Sequence, residues 1–149
     1  MDNIQLRNKV DLKNYTTIKV GGITEYFYEP TQVSEFIALI NWAKTKSYNF
    51  RIIGAGSNLL INNIYLKGLT ICTKKMKTLE INPQTGFAYA ECGVMLPTLS
   101  NLLAKNGCIG GEWTVGIPGT VGGALFMNAG YGAHSISNNL SSVQVMDTE

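Results

Sequence analysis

A chain of 149 residues with 45% hydrophobic and 15% charged side chains can bury a core and is too apolar to remain disordered. Its formal net charge of +2 excludes the strongly basic surface that nucleic acid or an anionic membrane selects. Cys72, Cys92 and Cys108 are widely spaced without a CxxC pair, and His134 is the one histidine, which excludes a zinc cluster and a disulfide framework.

Reduced thiols, no metal and a cytoplasmic location are therefore expected. The N-terminus has no leader pattern and the chain no apolar run of membrane-spanning length.

Residues 1–15 are polar and mixed, and are expected as a loosely held lead-in to one α+β domain over 16–149. Thr16-Thr17-Ile18-Lys19-Val20 reads as a short β run ended by Gly21-Gly22, and Glu25–Glu29, bounded by Pro30, as a strand. Thr31 is the expected N-cap of a helix over 32–46, with Glu35 in its first turn. Val33, Phe36, Ile37, Ile40 and Ala43 give that helix its apolar face. Phe50–Ile53 reads as a buried strand running into Gly54-Ala55-Gly56-Ser57-Asn58-Leu59-Leu60.

A further strand is expected over 69–73, and a hairpin joins 78–81 to 87–92 through Asn82-Pro83-Gln84-Thr85-Gly86. Its second arm alternates Phe87, Tyr89 and Glu91 with Ala88, Ala90 and Cys92. Pro97 suits a helix first turn, Leu96, Leu99, Leu102 and Leu103 form the stripe, and Asn106-Gly107 closes it. Gly116-Ile117-Pro118-Gly119-Thr120-Val121-Gly122-Gly123 then opens a short buried helix over 124–127, and 142–146 reads as a strand.

Glycine loses more backbone freedom on folding than other residues, about 0.5–1 kcal/mol in a regular element, so two dense clusters require a cause. The first permits several: a structural turn without ligand, a Rossmann loop, a Walker loop or another phosphate cradle. The Rossmann fingerprint lacks its third glycine, since Leu59-Leu60 stand there, and the Walker Gly-Lys-Ser/Thr ending is missing. No Lys or Arg lies between Ile52 and Leu66 or after Lys105. An anion at either loop would thus rest on backbone amides and a helix N-terminus, and a pyrophosphate spanning both loops suits an enclosed dinucleotide.

Thr16-Thr17…Gly21-Gly22, Gly54-Ala55-Gly56-Ser57-Asn58-Leu59-Leu60 and Gly116-Ile117-Pro118-Gly119-Thr120-Val121-Gly122-Gly123-Ala124…Met127-Asn128-Ala129-Gly130 together resemble the UDP-N-acetylenolpyruvoylglucosamine reductase (UDP-N-acetylmuramate dehydrogenase) family, in order and spacing over nearly the whole chain. The resemblance implies an FAD-binding domain of the vanillyl-alcohol-oxidase (PCMH) type, incomplete at its C-terminus, with the substrate-binding domain absent. It implies non-covalent FAD held by Gly54, Ala55, Gly56, Ser57, Asn58 and Leu59, and by Ile117, Pro118, Gly119, Gly122 and Gly123.

It further implies NADPH as co-substrate and reduction of UDP-N-acetylglucosamine enolpyruvate to UDP-N-acetylmuramate for peptidoglycan. The family's proton-donating serine, its polarising glutamate and an assisting arginine fall beyond Glu149, so no catalytic residue is assigned here. His134 and Glu112 read as surface or loop residues. Ala55 stands where glycine is common, and Tyr131-Gly132 follow Gly130 directly where the family has Ala-Tyr-Gly. Two other readings stay open: a different FAD-dependent oxidoreductase of the same fold, and a non-catalytic FAD-binding fragment.

Overall fold

The computed structural model describes residues 4–147. Four strands make a mixed sheet: β1 (Arg7–Asp11), β2 (Ile23–Tyr28), β3 (Phe50–Ile53) and β4 (Tyr65–Cys72), in the order β1-β2-β4-β3. β1 is antiparallel to β2, while β2 and β3 both run parallel to β4. A central parallel strand is covered on both faces and reads as a continuous apolar run. Leu69, Thr70, Ile71 and Cys72 are accordingly all buried.

Alternation divides β4 between two cores. Leu69 and Ile71 pack against Leu39, Ile40 and Ala43 of helix α1 (Val33–Thr45). Cys72 joins Leu12, Phe27 and Ile53 in a second cluster. Between β2 and β4 the register slips near Thr24, and the N–H of Gly68 donates to Glu25 Oε2 at 2.8 Å, so the bulge leaves that donor satisfied.

The lead-in is part of the sheet. β1 pairs with β2, a 3-10 turn covers Leu12–Tyr15, and Leu12 is fully buried. An edge strand needs few apolar side chains, so its sequence reads as polar. Arg7 donates to Glu29 Oε2 at 2.9 Å and to the Tyr15 hydroxyl at 2.7 Å, with its guanidinium over the Phe27 ring.

The expected strand at 16–20 is instead a turned loop: Thr16 Oγ1 donates to Val20 O at 2.8 Å, and Lys19 adopts φ +59°. Thr31 does not cap α1. Gln32 is the N-cap, and the Thr31 N–H and hydroxyl donate to the Glu35 carboxylate at 2.6 and 3.0 Å. These bonds hold the Glu35 carboxyl below its usual range, the Thr31 backbone N–H contributing most. Ile52 is half exposed because β3 is the other sheet edge.

The second part holds hairpin β5 (Leu79–Asn82) and β6 (Phe87–Ala90), helix α2 (Leu96–Lys105) and helix α3 (Val121–Met127). The minor elements are β7 (Gly130–Tyr131), β8 (His134–Ser135) and α4 (Ile136–Asn139). Hairpin and α2 follow expectation, with Pro97 in the first turn of α2 and Asn106 its C-cap.

Val94, Leu96, Val121 and Ala124 form a third core. Helix α3 is buried only on that side, since Phe126 is 89% exposed and Met127 54%. Residues 142–146, expected as a strand, pair with no strand among the described residues; Met146 packs against the α1 core and its neighbours are exposed.

Candidate functional site

Strand β3 delivers the chain to the first glycine loop, and two side chains from the end of β4 hold the exit. Thr73 Oγ1 donates to Ile53 O at 3.3 Å, and the Cys72 thiol to Gly54 O at 3.7 Å. Burial pushes the Cys72 thiol pKa up, so it stays protonated as a donor.

Gly56 then turns at φ +71°, and the Tyr15 carbonyl occupies the space a Cβ would need. The Gly56 carbonyl accepts the Thr17 N–H at 3.1 Å. The 16–20 loop therefore backs this turn, a role that a β run there would not allow.

The second loop crosses directly over the first. Ser57 Oγ donates to Pro118 O at 3.1 Å, and Gly54 faces Thr120 Oγ1. Gly119 has φ +129°, and a Cβ there would lie 2.9 Å from Ser57 Oγ. Glycine at 54, 56 and 119 is thus required by chain packing whatever else approaches. Gly56, Gly119 and Thr120 are buried, Ala55 and Ser57 partly so, and Asn58, Leu59 and Pro118 exposed; Ile117 packs against the third core.

The backbone amides of the two loops fall into two groups. At α3 the Val121 N–H goes to Val94 O and the Gly122 N–H to Cys92 O, both at 2.8 Å. The Gly123 N–H goes to Thr120 Oγ1 at 3.3 Å. The first turn of α3 is therefore satisfied by the chain. By contrast, the N–H groups of Ala55, Gly56, Ser57, Asn58 and Leu59, and those of Gly119 and Thr120, donate to no acceptor among the described residues. Unpaired amides on two crossing loops that carry no basic side chain are the groups by which the backbone would hold an anion. These groups fit a pyrophosphate.

Beside the second loop, Glu112, Trp113, Val115, Gly116, Ile117 and Tyr131 line a cleft of about 280 Å³. The Trp113 Nε1–H is buried with no partner among the described residues. A buried indole N–H ordinarily finds an acceptor, so an acceptor atom of a bound molecule would remove this deficit. The sequence reading omitted Trp113, because an aromatic beside a glycine loop looks like any core aromatic.

Glu112 is exposed and accepts the Gly110 N–H at 2.8 Å, and His134 lies exposed on β8. Among the described residues no group of three or more His, Cys, Asp or Glu is placed to hold a metal ion, and no helix is long and apolar enough to cross a membrane. A second cleft, of about 370 Å³ and lined by Glu25, Tyr48 and Lys67 among others, lies at the opposite end of β3.

UDP-N-acetylenolpyruvoylglucosamine reductase of Prochlorococcus marinus subsp. pastoris is 62% identical over 149 residues, covering 100% of this chain and 50% of its own. The same-named protein of a Synechococcus strain is 44% identical over 145 residues, covering 97% and 48%. The chain spans about half the length of the curated relatives it matches.

Among solved structures, UDP-N-acetylenolpyruvylglucosamine reductase from Thermus caldophilus superposes with a TM-score of 0.66 at 30% identity, over 88% of this chain and 46% of that one. Cholesterol oxidase from B. sterolicum shares the fold alone, with a TM-score of 0.60 at 18% identity over 87% and 25%. The family described as FAD binding domain matches residues 24–149, a span that holds both glycine loops, β3, β4 and all of β2 but its first residue, and the chain belongs to that family.

Proposed function

We propose that the chain supplies the FAD-holding half of a UDP-N-acetylenolpyruvoylglucosamine reductase, a cytoplasmic, NADPH-linked enzyme of peptidoglycan synthesis. The observation that carries the reading is the crossing of the two glycine loops, each with backbone N–H groups that have no acceptor among the described residues. The reductase assignment within flavoproteins is supported by the relatives' name at 62% identity.

Ala55–Leu59 would take one phosphate of FAD, and Gly119 and Thr120 the other, without covalent attachment. Ile117 and Pro118 would wall the site, while Gly54, Gly122 and Gly123 hold the loops in register through their own contacts. Flavin chemistry here is hydride transfer, from NADPH to the enolpyruvyl double bond of the sugar nucleotide, yielding UDP-N-acetylmuramate. This chain binds and orients; the proton that completes the reduction comes from polypeptide corresponding to the relatives' second half. The chain by itself is expected to be inactive.

The test joins that half, taken from the Prochlorococcus relative, to this chain and follows flavin absorbance and NADPH oxidation. A yellow protein that oxidises NADPH only with the enolpyruvyl sugar nucleotide is expected. A colourless product overturns the flavin reading. Oxygen consumption with a hydroxy acid or sugar, and none with the sugar nucleotide, replaces it with an oxidase of this fold.

A further inference from the structure

Residues 113–146 contain no Asp, Glu, Lys or Arg, although much of the segment faces solvent. Charged residues make up 15% of the whole chain, so their absence over this segment is a local depletion, and depletion of charge is what distinguishes the core of a protein interface from other surface.

On α3, Gly123, Phe126 and Met127 share one side at spacings of three and four, opposite the buried Val121 and Ala124. Phe126 is 89% exposed and Met127 54%, and the chain continues from them into β7, where Tyr131 is 75% exposed. Exposing side chains of this size singly is ordinary, but two adjacent ones on a helix face, within a segment that carries no charge and exposes Tyr131 four residues on, mark an interface. The relatives supply the occupant: they carry a second half as long as this chain.

We infer that the outer face of α3, continuing onto Tyr131, is the seat of that second half of the polypeptide. The inference rests on the proposed relationship to the reductases, and it extends that relationship to a surface. It is an internal interface, so its apolar area is hidden only in the longer polypeptide. Placed against α3, the second half would close over the side of the molecule that carries the second glycine loop.

The test places a cysteine at the centre of the face, Phe126→Cys, both in this chain and in the same chain joined to the Prochlorococcus second half. Thiol labelling is followed by peptide mass spectrometry without flavin or NADPH, so loss of reductase activity has no bearing on the result. The native, buried Cys72, packed with Leu12, Phe27 and Ile53, reports whether the four-stranded sheet is folded.

The engineered thiol is expected to label freely in the short chain and at least about tenfold more slowly in the joined one, because exposure there requires local opening. Equal rates in both, with Cys72 protected, overturn the inference. Protection already present in the short chain, with a doubled mass in solution, also overturns it and makes a second copy the occupant.

Should Cys72 label rapidly in the joined chain, the two halves are produced together as separate chains, with Phe126→Lys as the comparison. Co-purification that this change abolishes supports the inference. Co-purification that survives it, or none with the unaltered chain, overturns it.

Discussion

A Cβ added at Gly119 would meet Ser57 Oγ at 2.9 Å on a backbone at φ +129°. Gly119→Ala is therefore expected to strain the turn and push the two loops apart, costing about 1–3 kcal/mol in urea unfolding. Ser57→Ala removes one bond to Pro118 and leaves the turn intact, so about 0.5–1.5 kcal/mol is expected. Equal losses in the two variants would show that the crossing depends on that bond and not on the backbone.

Glu35 provides a pH signature. Its folded pKa lies below the unfolded one, so its contribution is present above the ordinary glutamate range and lost as pH falls through the folded value. Glu35→Gln should lower the unfolding midpoint at pH 7 and converge with the unaltered chain in acid; a constant difference down to low pH contradicts this.

Both loops were visible in the sequence as glycine clusters. Which amides are open was not, because the acceptors that occupy Val121 and Gly122 come from Cys92 and Val94, far along the chain.

At the scale of elements, the polar first segment tests how well sequence pattern reports structure. Leu12 is fully buried beside Phe27, Ile53 and Cys72, so Leu12→Ala should cost about 2–5 kcal/mol, measured by chemical denaturation. A loss below about 0.5 kcal/mol, as expected of a surface change, would return the segment to a loose lead-in.

The elements with internal periodicity were legible: α1, α2, the hairpin, β2 and β3 fall where apolar spacing and turn residues put them, while β4, expected over 69–73, begins at Tyr65 because its more exposed first residues pair with β2 without an apolar run. Those that depend on a neighbour were not. β1 exists because β2 offers an edge, whereas 16–20 has β-like composition but is turned back by the Thr16–Val20 bond and packs on Gly56. Residues 142–146 have strand composition too, yet pair with no described strand. Helix α3 looks buried in sequence because Phe126 and Met127 are apolar, and composition does not distinguish a core from an interface.

For the whole molecule, the glycine loops are the joint between two bodies of packing. The sheet and α1 lie behind the first loop, and the third core lies behind the second. Ser57 to Pro118 ties one body to the other, as does Gly93 N–H to Met76 O at 2.9 Å. A ligand gripping both loops spans the joint, so its binding should stabilise both bodies at once. At a hundredfold excess over Kd the linkage amounts to about 2.7 kcal/mol, read as a rise in the unfolding midpoint with FAD.

The charge layout adds a second expectation. Screening weakens interactions between exposed ions over about 10 Å at 0.1 M salt, whereas short amide contacts in a partly buried turn are less affected. With no Lys or Arg on either loop, FAD affinity should change by less than about threefold between 0.05 and 0.5 M salt, followed by flavin fluorescence. A steep loss with salt would mean that basic side chains from elsewhere, such as Lys19 on the supporting loop, carry the pyrophosphate. The amides of Ala55–Leu59, Gly119 and Thr120 would then be bystanders.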